Sequence, residues 1–152
     1  MKLANAITPT PVARKGTTVR DVIRACIAAD VRAIPYVDEN DRVVGLCSLK
    51  NIVKRAIVPD WMVQSIKLLG DDFQVLEDAQ AAVGNVLGKP IEPYVYKSYW
   101  PVAPETPLIK AIAVMQTNRT DYAFVIDRDN HYHGIVTVLA IARRMLEEHP
   151  ER

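Results

Sequence analysis

The chain has 152 residues, 19 lysines and arginines against 18 aspartates and glutamates, and a net charge of +1, with 49% hydrophobic residues. That balance is the one of an ordinary globular protein: it excludes a disordered chain, and it lacks the basic excess of a general nucleic-acid surface. No apolar run reaches bilayer length, and the opening MKLANAITPTP carries no signal-peptide core, so no membrane partner and a cytoplasmic location are expected.

Residues 7–15 are proline-rich and lead through Val12 and Ala13 into a short strand. Val19, Val22, Ile23, Cys26 and Ile27 recur at helical spacing, with Thr17 or Thr18 as N-cap, and this helix is predicted to end near Asp30. Ala33–Val37 and Arg42–Cys47 read as a hairpin around Asp38, Glu39, Asn40 and Asp41. Ser48 caps a second helix whose Leu49, Ile52, Val53, Ala56 and Ile57 keep to one side, with Pro59 beyond it. Cys26 and Cys47 fall on apolar positions and are expected buried and reduced.

Helices are predicted from Asp60 to Leu69 and from Leu76 to Leu87, stopped by Gly70 and by Gly88 and Pro90. Tyr94, Tyr96, Tyr99 and Trp100 follow. Packing at a seam is the expectation for them, with a base-stacking platform as the alternative. Pro101–Ala103 opens a further unit. Leu108, Ala111, Ile112 and Met115 form its helix stripe behind Thr106 as N-cap and Pro107 at the first position. Ala123–Ile126 and Tyr132–Val136 form its hairpin, and Thr137 opens a last helix to about Glu148 before a frayed tail.

The second unit repeats the first at constant register. Asp38 falls on Asp127, Gly45 on Gly134, Ser48 on Thr137, Ile52 on Ile141 and Arg55 on Arg144; upstream, Thr17 falls on Thr106 and Ile23 on Ile112. Each unit is β-α-β-β-α and too small to be stable alone, so the halves are expected to share a core.

Chemistry concentrates in Gly45-Leu46-Cys47-Ser48-Leu49-Lys50-Asn51. A hydroxyl at a helix N-cap and a polar residue three positions on share the positive end of the helix dipole, a setting that suits a phosphate and a sugar diol. Plain capping by Ser48, with Lys50 and Asn51 facing water, is the structural alternative. His131 and His133 alternate on one strand and are expected to face solvent, Asp129 or His149 being the nearest further metal ligands. No GxSxG, HExxH, P-loop or CxxC motif is present, and no enzymatic activity is expected.

Ile34-Pro35-Tyr36-Val37-Asp38 followed by Val43 to Asn51, and Phe124-Val125-Ile126-Asp127 followed by Gly134 to Ala140, resemble the repeated motif of tandem CBS-domain proteins, or Bateman modules. The resemblance implies an α/β (α+β) fold of two β-α-β-β-α repeats packed about a pseudo-twofold axis. Residues 1–58 would be the first repeat, 59–100 an inserted helical connection and 101–149 the second. It also implies a regulatory module that binds AMP, ADP, ATP or S-adenosylmethionine between the repeats, with no cofactor besides that regulatory ligand.

Carried over by position, Ser48 and Lys50 would meet phosphate and Asn51, in place of the family's aspartate, the ribose. Ala13, Thr17, Ile34 and Pro35 would line the base pocket. Thr137 would mark a second site in which Ala140 and Leu139 replace the ribose and phosphate partners, leaving it degenerate. A homodimer is expected, with the stripes Val19–Ile27 and Leu108–Met115 supplying its surface, and an effector protein that reads the module. The alternative is a ligand-free dimerisation or interaction platform.

Overall fold

The structure, a computed structural model, describes residues 1–57 and 83–151. The helix expected over 60–69 lies outside the described residues; of that expected over 76–87, residues 83–87 are helical.

Helix α1 (Val19–Ala29) begins at Thr18, whose hydroxyl accepts from Asp21 N while the Asp21 carboxylate accepts from Thr18 N, a complete capping box. Those bonds from Thr18 hold the Asp21 carboxyl below its ordinary range. The chain leaves α1 through Asp30, left-handed at φ 55. Strands β2 (Ala33–Val37) and β3 (Val43–Ser48) then pair antiparallel, Tyr36 opposite Gly45, and α2 (Leu49–Ile57) follows without a linker.

The second repeat reproduces this course. Strand β4 (Pro101–Val102) lies parallel to β5 (Tyr122–Ile126), which pairs antiparallel with β6 (Tyr132–Thr137), between helices α3 (Leu108–Thr117) and α4 (Val138–Glu148). Its cap differs from the expectation. Pro107, at the place of Thr18, has no side-chain donor or acceptor, and Thr106 Oγ1 is spent on Ala103 N at 3.0 Å, so α3 starts uncapped.

The order of the larger sheet is β1-β6-β5-β4, in which β1 (Ile7–Thr8) comes from the first repeat and β6 from the second. The reverse crossing also exists: Tyr96 bridges Leu46 on β3, with Leu46 N to Tyr96 O at 2.8 Å and Tyr96 N to Leu46 O at 2.9 Å. A 3-10 turn precedes each crossing, Leu3–Ala6 in one case and Glu92–Tyr94 in the other. The strand expected at Val12–Ala13 reduces to one bridge from Ala13 to Tyr36.

Exchange of these segments gives the halves a common interior. Phe124, Ile126 and Ile135 lie in the core built mainly by Val19, Val22, Cys26, Ile34, Leu46 and Cys47. Ala123, Val125 and Val136, on the opposite face of the β5–β6 hairpin, join Leu3 and Ala6 of the amino terminus, Ala111 and Met115. The two-residue alternation of a strand thus serves both cores. Cys26 and Cys47 are buried and unpaired, and burial pushes both thiols up to about 12, where they stay protonated.

The helix stripes assigned to a dimer surface are mostly consumed inside. Val19, Val22, Cys26, Ala111 and Met115 are core residues, and Ile27, Ile109 and Ile112 remain outside. Among the described residues no helix is long and apolar enough to cross a membrane.

Candidate functional site

The corner where β3 turns into α2 is built by short-range bonds. Leu49 N donates to Arg32 O at 2.9 Å, and Ser48 Oγ accepts from Asn51 N at 3.0 Å. The capping reading of Ser48 therefore holds, but its hydroxyl proton remains to donate elsewhere. Asn51 does not face water: it is 3% exposed. Its Nδ2 donates to the carbonyl of Tyr94 at 2.7 Å, while Oδ1 is buried and has no partner among the described residues. The Tyr94 carbonyl fixes the orientation of the amide, because a flip would set two oxygens against each other.

A cleft of about 780 Å³ opens in front of this corner, within the range of small-molecule sites. The first repeat contributes Ser48, Lys50, Asn51 and Lys54, the last on the same α2 face one turn beyond Lys50. The crossing segment contributes Tyr96 and Trp100, and the second repeat the corner Arg119-Thr120-Asp121-Tyr122. Arg32 lies at the seam, its guanidinium 2.8 Å from Asp121.

A second cleft, of about 420 Å³, stands at the pseudo-symmetric place and includes Asp30, Arg32, Asp121, Thr137 and Leu139. Thr137 caps α4 by accepting from Ala140 N at 3.0 Å, as Ser48 caps α2. Ala140 has no side-chain amide to offer, and Arg144 Nε takes the Asn5 carbonyl at 2.7 Å, as its counterpart Arg55 takes that of Pro93 at 3.1 Å in the first repeat. Arg143 pairs with Asp30 at 2.6 Å.

Of the expected site residues, Ser48, Lys50 and Asn51 meet in the first cleft and Thr137 lines the second. Ala13, Thr17, Ile34 and Pro35 do not line the first cleft. Ala13 and Ile34 are buried in the core with Val19, Val22, Cys26 and Cys47, and Pro35 is buried as well. Thr17 closes the turn from Arg14, whose amide it accepts at 3.0 Å, and its carbonyl receives Ile91 N. The remaining lining of the first cleft comes from residues the sequence reading did not select, Arg32 and Arg119–Tyr122, together with Tyr96 and Trp100 from the aromatic run. Tyr99 and Tyr94 do pack at the seam, Tyr99 donating to Val43 O at 3.0 Å.

His131 and His133 are exposed and share one carboxylate oxygen of Asp127, at 3.6 and 2.8 Å. His133, then the backbone amides of His131 and Asp129, hold the Asp127 carboxyl below its ordinary range. Asp127, Asp129 and His131 place ligand atoms within 4.8 Å of one another. The arrangement is accounted for by turn closure, since Asp127 Oδ1 accepts from Asp129 N and His131 N, as Asp38 Oδ1 accepts from Asn40 N and Arg42 N in the other hairpin.

The CBS domain model matches the chain twice, over residues 4–57 and 91–147. No curated protein sequence matches it. Among solved structures, CBSX2 from Arabidopsis thaliana, a CBS-pair protein, is similar with a TM-score of 0.66 at 20% identity, covering 99% of this chain and 98% of that one. The CBSX2 complex with AMP gives 0.65 at 19%, covering 97% of each. The CBS domain pair of protein MJ0100, in complex with 5′-methylthioadenosine and S-adenosyl-L-methionine, gives 0.65 at 18%, covering 95% of this chain and 99% of that one. Protein MJ1004 from Mathanocaldococcus jannaschii is longer: 97% of this chain spans 60% of it, with a TM-score of 0.67 and 17% identity. Two matches to the domain model, on two repeats that exchange their opening segments, place the chain in the CBS-domain family as a tandem pair.

Proposed function

We propose that this CBS pair is a regulatory module, not an enzyme, and that it binds an adenosine derivative in the cleft in front of Ser48. The observation that carries the reading is Asn51, which lines a cleft of about 780 Å³ and whose buried Oδ1 has no partner among the described residues. A buried acceptor without a partner is costly, roughly 1–3 kcal/mol, and a ribose hydroxyl satisfies it. Ser48 and Lys50 then meet the phosphate beside the α2 N-terminus. Tyr96, Trp100 and Tyr122 offer faces to the base. The complexes of CBSX2 with AMP and of the MJ0100 pair with adenosine compounds support the choice of ligand.

Such a ligand touches α2 of one repeat and the Arg119–Tyr122 corner of the other, and it regulates by binding two dispositions of the repeats with different affinity. We place the module in the cytoplasm as a homodimer read by an effector protein. The ligand-free interaction platform remains the second reading, favoured by Ala140 and by the Arg143–Asp30 pair at the second cleft.

Thermal unfolding with AMP, ADP, ATP and S-adenosylmethionine tests the proposal. A ligand at 100 times its dissociation constant stabilises by about 2.7 kcal/mol, a midpoint shift of roughly 5–10 °C. The expected result is such a shift with one of the four, abolished in the Ser48→Ala, Asn51→Ala double variant. No shift with any of them leaves the interaction platform as the function.

A further inference from the structure

We infer that the first cleft is built for a nucleoside di- or triphosphate in preference to a monophosphate or S-adenosylmethionine, an inference that rests on the adenosine reading of the same cleft. It follows from a difference between two places that the fold makes equivalent.

Arg32 and Asp121 occupy corresponding positions in the repeats, pair with each other across the seam at 2.8 Å, and line both clefts. Their charges cancel in each. The remaining corresponding positions are Arg119 against Asp30, Lys54 against Arg143 and Lys50 against Leu139. Asp30, in the lining of the second cleft, is neutralised by Arg143 at 2.6 Å, and Leu139 carries no charge. In the first, Arg119, Lys54 and Lys50 are three cations, and none has an ion-pair partner among the described residues. The pseudo-symmetric exchange of Asp30 for Arg119 thus turns an internal ion pair into a cationic wall.

The backbone at Arg119 points the same way. It sits at φ 53, in the left-handed region entered also by its counterpart Asp30 at φ 55. Aspartate tolerates that conformation better than most side chains, and arginine is held there at a steric cost. A lone monophosphate is already provided for by Ser48, Lys50 and the positive end of the α2 dipole. Lys54, a turn farther along α2, and Arg119, across the cleft, stand where further phosphates extend. S-adenosylmethionine carries a sulfonium and an ammonium against a single carboxylate, a net positive charge that the same wall repels.

Titration calorimetry at fixed ionic strength, with ATP, ADP, AMP, S-adenosylmethionine and inorganic tripolyphosphate, decides the matter. The expected order is ATP and ADP about tenfold tighter than AMP, with S-adenosylmethionine weakest. In Lys54→Gln and Arg119→Gly the preference for ATP over AMP is expected to fall to about twofold. Arg119→Gly relieves the left-handed residue, so its unfolding midpoint without ligand should not drop, which separates lost charge from lost fold. S-adenosylmethionine binding as tightly as ATP, or an ATP preference unchanged in both variants, overturns this inference and leaves the adenosine site standing. Tripolyphosphate binding without any adenosine compound overturns the adenosine reading and retains the anion wall. Binding of none overturns both.

Discussion

Replacing Gly134 by alanine should lower the stability of the fold by about 4 kcal/mol, and two separate costs add to that figure. The residue adopts φ 143, a region that side-chain-bearing residues rarely enter. A Cβ there would stand 2.6 Å from Thr8 O and 2.6 Å from Ile7 Cγ2, inside the β1 strand that the first repeat lays on β6. Relief requires the Thr8 backbone to withdraw, which breaks the β1–β6 pairing and uncovers Leu3 and Ala6. At Gly45 the matching Cβ meets Val95 Cγ1 at 2.5 Å and Tyr96 O at 2.8 Å, without a positive φ. The Val95 side chain can turn away but the Tyr96 carbonyl cannot, so Gly45→Ala is spared only the positive-φ cost and should destabilise by about 3 kcal/mol. Chemical denaturation of the two variants reads both values. A Gly134→Ala protein as stable as the parent would mean that the crossing of β1 does not support the fold.

Asn51→Asp, which restores the residue usual in the family's motif, should destabilise this chain by about 3 kcal/mol near neutral pH. The amide nitrogen now gives Tyr94 O a hydrogen bond of 2.7 Å; a carboxylate would turn an oxygen toward that carbonyl in a position 3% exposed. Burial and the facing carbonyl both raise the carboxyl pKa in the folded state above its unfolded value. The folded state then holds the proton more tightly, so the variant is most stable below the unfolded pKa and loses stability as pH rises toward the folded one. Unfolding midpoints across pH 4 to 8 should therefore fall more steeply for the variant than for the parent. Parallel profiles would show that the Tyr94 contact does not set the identity of residue 51.

This second case shows where sequence reading succeeds and where it stops. Ser48, Asn51 and Thr137 were legible because a cap and a position three residues on are fixed by one helical turn. The amphipathic helices and the turns at Asp38 and Asp127 were legible for the same local reason. The Tyr94 carbonyl was not, since a backbone oxygen has no letter of its own, and with it went the reason for asparagine. The crossings of β1 and Tyr96 are likewise set by glycines that admit a partner strand, and spacing does not say which strand comes. Ala13, Ile34 and Pro35 carry the right chemistry for an apolar pocket, but apolar residues serve a core equally well. Arg32 and Arg119 carry no local signal, and only the arrangement of the two repeats brings both to one cleft.

The buried oxygen of Asn51, on this reading, awaits a ribose. The most direct test is a crystal structure of the protein grown with ATP. The account predicts a ribose hydroxyl about 3 Å from Asn51 Oδ1, with the Tyr94 bond kept and the phosphates at Ser48 and Lys50. A nucleotide bound elsewhere, or an Asn51 Oδ1 still unpartnered beneath a bound one, would contradict it.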